Sequence, residues 1–264
     1  MRQLIPPSPA IGFVGVLGLL TGLHDVVGLG PRGWLAGLAS GVVLAAALAY
    51  GLLRLARHSL LPADRVTLTR AVLACGVAAL VADTAGRPTG LAVLVAVSAV
   101  ALVLDAVDGW VARRTRTASP MGARFDMETD AFLILVLSVQ VARDLGWWVL
   151  GIGAARYVLL AVGVAGRWAP WLRGQVPARR WRKAVAAYQG IALTLAAADV
   201  LAAPVVTAVV AAGLGLLLVS FGTEVVALRR QAARGVGGVA GVAGVGAPVP
   251  HPVPLDPTVA RAVR

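Results

Sequence analysis

The chain has 264 residues, 59% of them hydrophobic, with a mean hydropathy of +0.84. That is too apolar for an ordinary soluble domain and points to an all-α, polytopic membrane protein. Only 14% of residues are charged, with a balance of +12; the basic residues cluster in short links beside apolar runs, a pattern of membrane topology and anionic lipid contact and not of nucleic-acid binding. The lone Cys75 excludes a disulfide within the chain and reads as small core filler in an apolar helix.

Taken in order, residues 1–9 are Pro-rich and irregular, and a Gly-rich apolar helix follows from about Ala10 to Leu29. It lacks the A-x-A site of a cleaved leader and reads as a membrane helix, with His24 and Asp25 as an interfacial pair. A Gly/Pro turn leads to a second helix, about Trp34 to Leu55. The third starts near Arg65, with Asp64 as its cap and its N-terminus suited to phosphate, and ends near Ala82. The fourth spans about Gly90 to Val111, the fifth Gly122 to Val141, the sixth Trp147 to Gly166, the seventh Arg182 to Leu201 and the eighth Pro204 to Leu228. Gly/Val/Pro low complexity then reads as a flexible tail. The expected organisation is an extension (1–60), a six-helix core (61–230) and a tail (231–264).

The stretch from Asp105 to Asp130 carries five of the twelve acidic residues. Charges beside membrane helices are costly and imply a purpose. Asp105 and Asp108 are three apart, and Asp126 and Asp130 four apart, so each pair shares one face of its helix. A short link lets the helices run antiparallel and bring the four carboxylates together. Such a site needs cations, and all-oxygen ligands favour a hard ion, Mg²⁺ or Mn²⁺. Glu128 points off that face and reads as a supporting or structural residue.

The spacing D-x2-D-G-x2-A-R-x8-G-x3-D-x3-D, filled by Asp105, Asp108, Gly109, Ala112, Arg113, Gly122, Asp126 and Asp130, resembles the signature of the CDP-alcohol phosphotransferases, membrane enzymes of phospholipid synthesis. The likeness covers about Leu61 to Leu228 and leaves the two leading helices outside. It implies transfer of a phosphatidyl group from a CDP-linked lipid, CDP-diacylglycerol above all, to an alcohol, with release of CMP. It further implies two divalent ions, with Asp105, Asp108 and Asp126 as ligands and Asp130 as general base that also touches metal. Asp64 and Thr67 match a Pro-Asp-x-x-Thr element that helps hold the CDP moiety, with Ala63 in place of the proline. Gly109, Ala112 and Gly122 leave room for the nucleotide, Arg113 clamps the diphosphate, and Ser119 stands where the family often has a hydroxyl.

For the acceptor, the resemblance points to basic residues of the last helices: Arg156, Arg179, Arg180, Arg182 and Lys183. Arg156 carries most weight because a mid-helix arginine in a membrane faces a partner or a cavity; the alternative role is a structural salt bridge to the acidic cluster. Lys183-Ala-Val-Ala-Ala-Tyr-Gln189 partly matches an element of glycerophosphate and cardiolipin-type members, which makes glycerol phosphate or phosphatidylglycerol the expected acceptor. With the N-terminus in the cytoplasm, the arginine-rich links fall inside and only Arg32, Arg87 and Arg143 outside. The acidic site then lies near the cytoplasmic face of a bacterial plasma membrane, in a homodimer by analogy with the family. The competing readings are a membrane cation-binding or transport protein and a catalytically idle relative that binds nucleotide lipid.

Overall fold

The computed structural model describes residues 8–54, 61–83, 88–115, 119–165 and 180–242. Among these, eight α-helices and one 3₁₀ turn occur, and no strand. The helices are α1 (Ser8–Val27), α2 (Pro31–Arg54), α3 (Pro62–Asp83), α4 (Pro88–Thr115), α5 (Pro120–Leu145), α6 (Leu150–Ala165), α7 (Arg180–Ala197) and α8 (Ala203–Val242). This is the two-plus-six helical membrane architecture expected from the sequence.

Among the described residues, five helices are long and apolar enough to cross a membrane: Ser8–Val27, Pro31–Leu53, Ala63–Asp83, Gly90–Val111 and Ala203–Ala227. The other three differ for local reasons. Helix α5 carries Asp126, Glu128 and Asp130 in its first half, α6 has 16 residues, and α7 opens on Arg180, Arg182 and Lys183.

Helix α3 is the hub. It packs against α1, α2, α4 and α5, whereas α5 also meets α6 and α7, and α7 meets α4 and α8. Its small residues explain the position: Ala71, Ala74, Cys75, Ala78 and Ala79 are buried and let neighbouring helices approach closely. Larger side chains, among them Leu20, Leu80, Leu94, Leu137 and Leu193, fill the remaining core from five different helices. Apolar residues such as Val14, Leu35, Val103 and Leu218 stay exposed around the outside, as lipid contact requires.

Several boundaries differ from those expected. Helix α3 starts at Pro62, earlier than Arg65, because proline suits the first helical position. Asp64 therefore lies inside the first turn, and its carboxylate reaches back to accept from the Leu61 N–H at 3.2 Å. Helix α5 starts at Pro120, with Ser119 as N-cap accepting from the Gly122 N–H at 2.9 Å. Its other end closes at Gly146, whose φ of 97° suits glycine. Helix α4 continues to Thr115 and α8 to Val242, past the expected ends at Val111 and Leu228. The rest of the expected tail lies outside the described residues.

Candidate active site

Helices α3, α4 and α5 meet at one place, and each presents a polar face there within an otherwise apolar bundle. On α4, Asp105 and Asp108 lie one turn apart; on α5, so do Asp126 and Asp130. Carboxylate oxygens of Asp105, Asp108 and Asp126 all fall within 4.8 Å of one another, a spacing that could hold a metal ion. Asp130 faces the same centre from the next turn of α5.

At that centre stands Arg70 of α3, whose side chain is 1% exposed. Its Nη1 is 3.1 Å from Asp105 Oδ1, 2.7 Å from Asp108 Oδ2 and 2.5 Å from Asp126 Oδ1. Its Nη2 donates to Asp130 Oδ1, and its Nε donates to the Ala101 carbonyl of α4 at 3.2 Å. One guanidinium thus ties three helices together through all four carboxylates. Its planar fork makes this possible, since a lysine could not address so many oxygens from a fixed plane. The Thr67 hydroxyl, one turn before Arg70, donates to Asp108 Oδ2 at 3.3 Å.

Arg70 lies outside the motif read from the sequence. The available signal was an arginine inside an apolar helix, the same reasoning that singled out Arg156, and a Thr67-x-x-Arg70 spacing that puts both residues on one face.

The remaining sequence-derived residues fall as follows. Asp64 is buried at the start of α3 and closely faces Gly122; a Cβ on Gly122 would collide with its Oδ1. Gly109 follows Asp108 on α4, and Ala112 and Arg113 lie in the last two turns of that helix. Ser119 is committed to the α5 cap. Lys183, in the first turn of α7, is 57% exposed on its side chain and has its Nζ 4.0 Å from Asp105 Oδ1. A small cleft of about 20 Å³ runs between α4, α5 and α7, lined by Asp105, Asp130 and Lys183 with Ala186 and Gly190. Arg180 and Arg182 lie on that first turn of α7, and Arg179 lies outside the described residues.

Arg156 is placed apart from the aspartates. It pairs with Glu128 in a fork, Nη2 to Oε1 at 2.5 Å and Nε to Oε2 at 3.2 Å. The contact made here is a salt bridge, but its partner is Glu128, on the side of α5 turned from the four-aspartate face, and not the aspartate cluster itself.

The donor set suits a divalent ion on two counts. It is all oxygen, and Asp105 Oδ1 is buried without a hydrogen bond, since Arg70 approaches it within 3.1 Å without aligning to donate. The four carboxylates also outnumber the single buried guanidinium, which leaves negative charge to be neutralised.

Fold and site together define a helical membrane protein with a polyacidic centre between its third, fourth and fifth helices. The family model for CDP-alcohol phosphatidyltransferase matches residues 60–222, and the chain belongs to that family. Membership implies transfer of a phosphatidyl group from a CDP-alcohol to an alcohol acceptor in a membrane, in a family that is metal-dependent in general. The match begins just before α3, leaving α1 and α2 outside it. No curated relative and no solved structure matches the chain significantly.

Proposed function

We propose that the protein transfers the phosphatidyl group of CDP-diacylglycerol to an alcohol and releases CMP, in phospholipid synthesis at the cytoplasmic face of a bacterial plasma membrane. The observation that carries this reading is the convergence of Asp105, Asp108, Asp126 and Asp130 on one centre from two helices. Two Mg²⁺ or Mn²⁺ ions held by these carboxylates would neutralise the diphosphate and stabilise the departing phosphate.

The chain's own groups divide the remaining work. Asp105, Asp108 and Asp126 fix the donor's diphosphate end. Asp64, Thr67 and the small faces at Gly109, Ala112 and Gly122 receive the nucleotide, with Arg113 on the diphosphate and Ser119 beside it. Asp130 lines the cleft from its far side and takes the proton of the acceptor hydroxyl. The acceptor oxygen forms a bond to the phosphorus that carries the diacylglycerol, the bond from that phosphorus to the bridging oxygen breaks, and CMP leaves with the electron pair.

Lys183 lines the same cleft, so it and Arg182 hold a phosphate on the acceptor, with Arg156 as a further cation. Glycerol phosphate or phosphatidylglycerol fits such a basic acceptor side. The working unit is a homodimer, by analogy with the family.

The test is the lipid product made by purified protein in detergent from CDP-diacylglycerol and Mn²⁺. Acceptors are offered singly: glycerol 3-phosphate, phosphatidylglycerol, inositol, inositol phosphate and serine. Product and stoichiometric CMP with either of the first two supports the reading in full. Product with one of the others corrects the acceptor alone, and no product with any acceptor removes the assignment.

A further inference from the structure

Arg70 is among the largest fully buried side chains of the molecule, and its Nη1 touches the same three carboxylates that could share an ion. Asp105, Asp108 and Asp126, each with an oxygen close to Arg70 Nη1, form the one compact group of possible metal ligands found among the described residues. A guanidinium and a divalent ion therefore compete for the same three carboxylates. Lys183 is a poor substitute as a counter-charge, because its side chain is largely exposed and stands 4.0 Å from Asp105.

We propose that Arg70 is a positioning residue that serves as a resident cation: it holds the four carboxylates in register in the ion-free protein and competes with divalent ions for their oxygens. The proposal rests on reading the aspartates as a metal site. The physical need is plain. Four carboxylates gathered in a low-dielectric bundle repel one another unless a cation lies between them, and breaking a buried pair leaves uncompensated charge. The Nε bond to the Ala101 carbonyl anchors the same guanidinium to α4 at an oxygen outside the three-carboxylate group. Arg70 thus keeps a foothold while its Nη1 contacts yield.

Two measurements on the full-length protein in detergent test this, with wild type, Arg70→Met and Arg70→Lys: thermal unfolding with and without Mn²⁺, and Mn²⁺ affinity by calorimetry. Wild type should gain little thermal stability from Mn²⁺. Ion-free Arg70→Met should unfold about 10 °C lower, and Mn²⁺ should restore most of the loss. Its Mn²⁺ affinity should rise about tenfold, because the competing cation is gone. Arg70→Lys, which keeps a charge without the fork, should fall between the two, and it carries the test if the methionine variant does not fold.

A variant that loses stability equally with and without Mn²⁺, and binds the ion no better, would make Arg70 a structural brace and overturn the proposal. Unchanged ion-free stability would overturn it as well. If wild type itself binds no Mn²⁺, the metal reading of the aspartates fails, an outcome distinct from a failure of the Arg70 comparison alone.

Discussion

On the α3–α4–α5 side of the cleft, a buried guanidinium lies 2.5 to 3.1 Å from three carboxylates and also bonds the fourth, whereas on the α7 side Lys183 is 57% exposed and stands 4.0 Å from its nearest acid. The first side is built from short aspartate side chains on packed helices, all gathered around one buried guanidinium. The second relies on a long, flexible cation at a helix start. Groups held this way differ in what binding costs them. The dense side is ordered before substrate arrives, while the loose side orders with it. On the proposed function the donor half is the rigid one and the acceptor half the adaptable one, and substitutions should separate the two halves by the size and kind of their effects.

The largest effect belongs to the dense side. Asp126→Asn keeps the shape and removes one ligand charge, so turnover should fall on the order of 10⁴-fold or more, with weakened Mn²⁺ binding in calorimetry. Near-normal turnover would take Asp126 out of the ligand set. Next comes Asp130→Asn, expected to lose about 10²- to 10⁴-fold in kcat as a missing base does, with CDP-lipid binding largely kept. A variant that loses lipid binding but retains kcat would reverse the roles given to Asp126 and Asp130.

On the loose side the effect is smaller and differs in kind. Lys183→Ala should raise KM for a phosphorylated acceptor about tenfold, as loss of one charge-assisted contact would, and leave KM for the CDP-lipid nearly unchanged. Equal shifts in both constants would erase the distinction between donor and acceptor halves.

Smallest is a packing change at the dense side's edge. Gly122→Ala drives a Cβ into Asp64; about 1–3 kcal/mol of stability should be lost, read as a lowered unfolding temperature. Full stability would show that Asp64 moves aside freely there.

The same contrast explains what could be read from the sequence. Asp105 with Asp108, and Asp126 with Asp130, are local pairs whose spacing on a 3.6-residue helix fixes their common face. The motif therefore predicted a cluster that the fold assembles. Helix number followed from apolar length; starts erred by up to a turn where Pro62 and Pro120 open helices early, and ends by about one turn in α4 and about four in α8, where polar or glycine-rich residues continue the helix. Arg70 escaped notice because its partners lie 31 to 60 residues away in the chain, from Ala101 to Asp130. No local pattern records such packing. Arg156 shows the converse: a half-buried mid-helix arginine does announce a partner, but only the packing of α6 on α5 reveals that the partner is Glu128.

The most direct measurement is CMP release from CDP-diacylglycerol by purified wild type and Asp126→Asn, with Mn²⁺ and then with chelator, in the presence of glycerol 3-phosphate. The account predicts release by wild type that stops on chelation, returns on adding Mn²⁺ back, and is absent in the variant at every ion concentration that supports wild type. CMP release that survives chelation, or that persists in Asp126→Asn, would contradict the claim that the four-aspartate centre performs the reaction.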